Sequence, residues 1–250
     1  MFLEAYIPPQ VELKVEVDAP YIFDSQIADV TGDQIDDFVY LAGNKKSPDA
    51  IYQEDITIYI IDGVTNEVTE QKLDLTGGYG SILFLGDFNG DETNDVYVAI
   101  SSGGSGNIHY YYIYSFKDKK TEELLNYTDL NELYEWSISF INDYGVIVKN
   151  NTLNQSYKLD LSNQNQELLE KYYTSEGKVK ENLKGEVLAL GDLCPIMTLA
   201  GNKTYDLLAS HRVIGVATVD NLGVVQIYLT YKDGEFVPYE IVVGTETFLD

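Results

Sequence analysis

Asp29-Val-Thr-Gly-Asp33-Gln-Ile-Asp-Asp37 and Asp87-Phe-Asn-Gly-Asp91-Glu-Thr-Asn-Asp95 are two acidic loops of nine residues that begin 58 positions apart. Each loop has oxygen-bearing side chains at its positions 1, 3, 5 and 9, and an apolar run follows it at once. Alternating oxygen ligands on a tight loop that contains glycine suit a hard cation such as Ca2+. The pair therefore predicts a ligand, a repeat length and a strand-rich fold together.

The apolar pattern elsewhere in the chain is that of strands. Val11-Glu-Leu-Lys-Val-Glu-Val17 alternates with period two, and Ile56-Thr-Ile-Tyr-Ile-Ile61 does so less strictly. Such runs, rich in Val, Ile, Tyr and Thr, are typical of half-buried strands, and turn residues such as Asp62-Gly63 separate them. Near residues 165–173 the pattern fits either a helix or a strand followed by a loop.

Four repeats are indicated, at 21–79, 80–135, 136–185 and 186–250, with loop positions that recur roughly every 55 to 59 residues. The third has lost its acidic loop, and the fourth keeps Asp206 at position 9 but has Thr198, Ala200 and Asn202 at positions 1, 3 and 5. Such spacing predicts an all-β fold, a single β-propeller over residues 21–250 with four four-stranded blades, or five as the second choice. In residues 1–20 the strand at Val11 would close the ring, and a β-sandwich is the main alternative.

Composition narrows the classes of partner. The chain has 41 acidic and 16 basic residues and a formal net charge of -25, which repels nucleic acid phosphates and anionic lipid headgroups. No run approaches the roughly 20 apolar residues that span a bilayer, so we expect no membrane insertion. The single cysteine, Cys194, allows no intrachain disulfide.

The beginning of the chain lacks the basic and apolar regions of a signal peptide. We expect an extracellular location or one on the cell or spore surface, with a removed signal peptide and a cytoplasmic location both left open.

The predicted Ca2+ ligands follow from the loop positions. In the second loop they are the side chains of Asp87, Asn89, Asp91 and Asp95 with the backbone carbonyl of Thr93. In the first loop they are the side chains of Asp29, Thr31, Asp33 and Asp37 with the backbone carbonyl of Ile35. An EF-hand needs Glu at position 12, where this chain has Tyr40 and Val98. A pair of turns without metal is the remaining alternative, since Asp, Asn and Gly favour turns.

The second loop, Asp87 to Val96, resembles the acidic loop of FG-GAP and VCBS repeat proteins, a group that includes the integrin α-chain propellers. Further segments, Leu83–Gly90, Gly103–Phe116 and Arg212–Gly215 with Leu222–Gln226, are similar to VCBS repeat proteins of spore-forming Gram-positive bacteria. The resemblance covers about residues 24–243. It implies a propeller whose loops bind Ca2+ for structure, with no common enzymatic activity. The family usually has glycine at loop position 6, where this chain has Gln34 and Glu92.

Other candidate sites are weaker. His109 and His211 are the only histidines, so a Cys/His metal cluster is excluded, and no Gly-x-Ser-x-Gly motif supports a catalytic triad. Tyr110, Tyr112 and Tyr114 share one strand face and are a candidate glycan surface, with blade packing as the alternative.

The function predicted from the sequence is a non-enzymatic, calcium-stabilised surface or extracellular module for binding or adhesion. Its partner would be a protein or a glycan, not a nucleic acid. The alternatives are an envelope or spore-associated structural protein without a specific ligand, and a carbohydrate-acting enzyme.

Overall fold

The computed structural model describes residues 21–198 and 203–245. The predicted strand at Val11 and two residues of the fourth loop, Ala200 and Asn202, lie outside these ranges. The described residues form an all-β fold of several antiparallel sheets with two short helices. Neither of these helices has the length and apolar character that a membrane span requires.

The first two repeats are meanders in which each strand pairs with the next. The strands of the first are β1 (Tyr21–Ala28), β2 (Asp37–Asn44), β3 (Tyr52–Ile61) and β4 (Val68–Lys72). Those of the second are β5 (Gly78–Gly86), β6 (Asp95–Ser101), β7 (His109–Ser115) and β8 (Glu122–Asn126). A short pairing of β3 with β5 joins them into one sheet, and β5 spans the boundary drawn at 79 and 80.

Helix α1 (Tyr127–Glu132) ends the second repeat. The third repeat is a smaller sheet followed by a helix, and its elements are β9 (Trp136–Ile141), β10 (Gly145–Asn150), β11 (Gln155–Asp160) and α2 (Gln166–Tyr172). Helix α2 settles the choice left open near 165–173. The Asn165 side chain accepts the N–H of Leu168 as an N-cap, and the helix buries Leu168, Leu169 and Tyr172.

The fourth repeat is a five-stranded sheet built on β14. Its strands are β12 (Glu186–Val187), β13 (Asp192–Ile196), β14 (Asp206–Ile214), β15 (Asn221–Lys232) and β16 (Glu235–Gly244). Both β12 and β13 pair with one edge of β14, and β15 and β16 continue the meander on the other.

Contacts between the sheets place the fourth repeat directly against the second. The Tyr97 hydroxyl donates to the Leu193 carbonyl at 2.5 Å, and the Tyr111 hydroxyl donates to the Gly191 carbonyl at 3.0 Å. One large core unites the second, third and fourth repeats, while another lies between the first two. The described residues do not show a closed ring of blades, so the structure establishes the all-β class but not the propeller.

The tyrosine face of β7 is part of the core. Tyr112 is fully buried and Tyr114 is 4% exposed, and both belong to the core between the first two repeats. Their hydroxyls are also occupied, since Tyr112 donates to the Asp74 carbonyl and Tyr114 to the Glu123 carboxylate. The prediction that this face is a glycan surface is wrong, because the side chains of Tyr112 and Tyr114 are buried in the core between the first two repeats.

Candidate functional site

The second acidic loop connects β5 to β6 and is held by its own side chains. The Asp87 carboxylate accepts the N–H of Gly90 at 2.7 Å through Oδ1 and that of Glu92 at 3.0 Å through Oδ2. Asp91 Oδ1 accepts the N–H of Thr93 at 2.9 Å. Positions 1 and 5 therefore shape the loop by capping the backbone N–H groups of positions 4, 6 and 7.

The first acidic loop, between β1 and β2, repeats this pattern. Asp29 accepts the N–H of Gly32 at 2.6 Å and that of Gln34 at 2.8 Å, and Asp33 accepts that of Ile35 at 2.8 Å. The likeness of the two loops in sequence is therefore also a likeness in conformation.

Both loops adopt left-handed backbone at positions 4 and 6. Gly32 and Gly90 have φ of 83° and 81°, and Gln34 and Glu92 have φ of 70° and 66°. A side chain at such a φ strains the backbone, whereas glycine does not. This explains physically why glycine is usual at position 6 of the loops that this chain resembles.

We expect Glu92→Gly to raise the free energy of unfolding by about 1 kcal/mol, because it relieves a left-handed non-glycine residue. The exposed Glu92 side chain caps nothing, so Glu92→Ala is the matched control that leaves the strain in place. Urea unfolding of both variants checks this. Equal stability of the two variants would show that strain at position 6 is negligible.

Position 9 distinguishes the two loops. Asp37 is fully buried and uses both oxygens, since Oδ2 accepts the N–H groups of Val30 and Thr31 and Oδ1 accepts that of Gly63 at 3.0 Å. Asp95 is also fully buried, and its Oδ2 accepts the N–H of Phe88 at 2.9 Å.

The second oxygen of Asp95, Oδ1, is buried and accepts no hydrogen bond that meets normal geometry. Burial raises the pKa of this carboxyl to about 7; the Phe88 N–H and Ser115 hydroxyl oppose the rise, while Asp91 and Asp87 add to it. A buried carboxylate with a free oxygen lacks the compensation that burial normally demands. The second loop therefore has an unmet need for positive charge or a donor.

Backbone hydrogen bonds join the loops of different repeats at equivalent positions. The Asp29 carbonyl accepts the backbone N–H of Asn94 at 3.3 Å, and the Asp87 carbonyl accepts that of Tyr205 at 2.8 Å. In each case the carbonyl of position 1 meets the N–H of position 8 of another loop, if the fourth loop is counted from Thr198. Thr198 itself donates to Asp206 Oδ2 at 2.6 Å, so positions 1 and 9 of that loop meet.

One lysine already stands beside the second loop. Lys117 Nζ donates to the Asp91 carbonyl at 2.7 Å and lies 3.4 Å from Asp91 Oδ2. It belongs to a 3-10 turn between β7 and β8, and the N–H of Asp118 in that turn donates to the Thr31 carbonyl. This turn links both acidic loops and supplies part of the positive charge that they attract.

The residue types of the second loop, with side-chain or backbone oxygens at positions 1, 3, 5, 7 and 9, are those that a hard cation takes. Across residues 21–198 and 203–245 no three Asp, Glu, His or Cys side chains gather into a group that could hold a metal ion. A calcium shell also takes amide and backbone oxygens, which Asn89 and Thr93 would provide. The free Oδ1 of Asp95 is the observation that favours a cation here.

Both histidines lie in strands. His109 begins β7, and its ring centroid lies 5.9 Å from that of Tyr111. His211 lies within β14 and is 4% exposed.

One known protein is similar to this chain over most of its length. The "Uncharacterized protein YybI" of Bacillus subtilis (strain 168) is 32% identical over 231 residues, which cover 88% of this chain and 87% of that protein. The chain belongs to the YybI family. A family model of the YybI C-terminal domain matches residues 134–244. In this YybI-family chain the match runs from just before β9 to the end of β16, so both acidic loops lie before it.

Proposed function

We propose that this chain is a non-enzymatic, calcium-stabilised repeat protein of the FG-GAP/VCBS type that acts as a surface or extracellular module for binding or adhesion. The observation that carries the proposal is the buried, unpartnered Oδ1 of Asp95 within an acidic loop. The first acidic loop, which has the same hydrogen-bond pattern, supports the proposal.

The ligands proposed in the second loop are Asp87, Asn89, Asp91, Asp95 and the carbonyl of Thr93. Those in the first are Asp29, Thr31, Asp33, Asp37 and the carbonyl of Ile35. Bound Ca2+ would supply positive charge to acidic side chains that the chain otherwise holds on backbone N–H groups. Because both oxygens of Asp37 are already occupied, the second loop is the stronger site.

A propeller-type arrangement of the repeats is part of the proposal. The first, second and fourth repeats each contain a four-stranded antiparallel meander, and the links from position 8 to position 1 join their loops at one end. The third repeat has no loop that could provide such a link. Its absence there is consistent with the packing of the fourth repeat against the second.

Exposed apolar side chains favour a binding module over an envelope protein without a ligand. Ile22, Ile27 and Ile82 are 59%, 58% and 52% exposed, and they lie on the contacting strands β1 and β5. Apolar side chains that are exposed singly are normal, but a large contiguous apolar patch marks an interaction site. Calcium modules with a Kd of about 10⁻⁴ to 10⁻³ M suit the extracellular compartment, which agrees with the proposed location.

The proposal predicts a selective effect of Asp91→Ala on the Ca2+-dependent rise in melting temperature. The variant loses a proposed ligand and should lose most of that rise. Asp206→Ala removes the position 9 carboxylate of the fourth loop, where the acids are otherwise absent, and should keep the rise. Differential scanning calorimetry in Ca2+ and in chelator measures both, and an undiminished rise in Asp91→Ala would contradict the assignment.

A further inference from the structure

A cavity of about 380 Å3 lies where the end of the second repeat and the third repeat meet the fourth. We call it the His211 cavity. Its walls come from α1, the start of β9, the segment 185–189 and β14, and the side chains that matter below are Asn131, Tyr134, Trp136, Glu186 and His211. It is separate from the acidic loops and from every residue of the proposed calcium sites.

His211 lies in the wall of this cavity as a buried, uncharged imidazole. Its Nδ1 lies 3.1 Å from the Leu188 carbonyl, so Nδ1 carries the proton and donates to that carbonyl. Burial lowers the pKa of the imidazole, against the opposing effect of the Leu188 carbonyl. Its Nε2 has no hydrogen-bond partner in the part of the chain described, and it is buried beyond the reach of a water-sized molecule in the cavity. The polar groups that a ligand meets in the cavity are therefore those of other residues.

Asn131 and Glu186 add polar groups of both kinds. Asn131 Oδ1 accepts the N–H of Leu190 at 2.7 Å, which fixes the orientation of the amide and leaves its NH2 group as a donor. Glu186 is exposed and provides carboxylate oxygens that accept hydrogen bonds. The cavity therefore offers acceptors and a donor to the same small molecule.

Two aromatic rings form a corner of the cavity. The rings of Tyr134 and Trp136 stand 6.1 Å apart at 87°, and both side chains are half-buried. Their faces give apolar contact area close to the polar groups. A few placed polar groups on an aromatic wall are the usual make-up of a small-molecule site.

We propose that the His211 cavity binds one neutral sugar ring of a glycan. Each hydroxyl of a sugar both donates and accepts hydrogen bonds, so it can pair with either kind of polar group in the cavity wall. The C–H faces of the sugar ring would pack on Tyr134 and Trp136. The net charge of -25 disfavours phosphorylated and acidic ligands. The inference rests on the proposed binding function, which it deepens by naming a site and a ligand class.

Trp136 is the only tryptophan in the chain, so tryptophan emission comes from the wall of this cavity. Glucose, galactose and N-acetylglucosamine are titrated separately into the full chain, with glucuronic acid and adenosine as probes of the excluded classes. A ligand of about twelve non-hydrogen atoms at ordinary efficiency reaches a Kd of about 1 mM. We expect a saturable change in emission with at least one neutral sugar and none with glucuronic acid.

Two variants test the assignment of the walls. Glu186→Gln and Tyr134→Ala should weaken binding of that sugar about tenfold or more. Glu181→Gln, an exposed glutamate outside the cavity, is the matched control and should bind as the native chain does. Thermal melting of each variant shows that it is folded before its binding is compared.

No saturable change with any neutral sugar would overturn the inference, as would a response to adenosine alone or an equal response in all three variants. The Ca2+-dependent melting described above is independent of this cavity. A chain that gains stability from Ca2+ but binds no sugar would retain the proposed calcium function and lose this site.

Discussion

Asp95→Asn is expected to change stability in opposite directions with and without Ca2+. In chelator above about pH 7, where Asp95 is ionised, the variant should be more stable than the native chain by about 1–3 kcal/mol, because it removes a buried charge whose Oδ1 accepts no hydrogen bond of normal geometry. In excess Ca2+ it should be the less stable of the two, since a neutral amide is a poorer ligand than a carboxylate. Urea unfolding of both proteins in chelator and in Ca2+ measures this reversal in their order of stability.

Asp37→Asn is the matched control for this experiment. Asp37 is equally buried but accepts three backbone N–H groups with its two oxygens. An amide has only one accepting oxygen, so this variant should lose stability in chelator as well. If Asp95→Asn also loses stability in chelator, the view that Asp95 needs a cation is refuted.

Asp220→Ala is expected to lower the free energy of unfolding by about 2–4 kcal/mol. Asp220 is 4% exposed and accepts from the Tyr172 hydroxyl at 2.5 Å and from Lys171 Nζ at 2.7 Å. The Tyr172 hydroxyl in turn accepts the N–H of Val216. These bonds attach α2 of the third repeat to the loop between β14 and β15, so their loss loosens the packing of two repeats.

The same carboxylate predicts an acid limit to stability. Burial favours a raised pKa for Asp220, but hydrogen bonds from Lys171 and Tyr172 outweigh it and hold the pKa below its ordinary value of 3.8. A group with a lowered pKa stabilises the fold above its unfolded pKa, and this contribution is lost as the pH falls through the folded pKa. The difference in stability between the native chain and Asp220→Ala should therefore shrink below about pH 4. A difference that stays constant down to pH 2 would contradict this assignment.

The acidic loops show what local sequence can predict. Their spacing and the strands that follow them could be predicted, because most hydrogen bonds within each loop join residues at most seven positions apart, such as Phe88 and Asp95. The strain at Gln34 and Glu92 could also be anticipated, since glycine is the usual residue there in similar loops. Occupancy of the loops by metal remains a prediction.

Helix α1 was missed although its signal is present. Asn126 and Asp129 form a capping box, in which the Asn126 side chain accepts the N–H of Thr128 and Asp129 accepts that of Asn126. The helix is only six residues long, so it shows too few turns for a periodic apolar pattern. A cap without periodicity was the only clue.

Packing between repeats was not predictable from periodicity. The sequence order suggests that the third repeat follows the second in space, whereas Tyr97 and Tyr111 of the second repeat bond to the fourth. Both faces of β7 are apolar and aromatic, so the pattern cannot say which face is core. The His211 cavity was missed for a similar reason, since its walls come from segments near 131–136, 185–189 and 211.

The most direct test of calcium stabilisation is the melting temperature of the native chain in millimolar Ca2+ and in chelator. At about 10 mM Ca2+, which is about 10 to 100 times a Kd of 10⁻³ to 10⁻⁴ M, one site adds about 1.4–2.7 kcal/mol of stability. For a chain of 250 residues that corresponds to a rise of roughly 3–10 °C. We predict this rise at unchanged ionic strength, with no such rise in equivalent Mg2+. The same melting temperature in Ca2+ and in chelator would contradict the account.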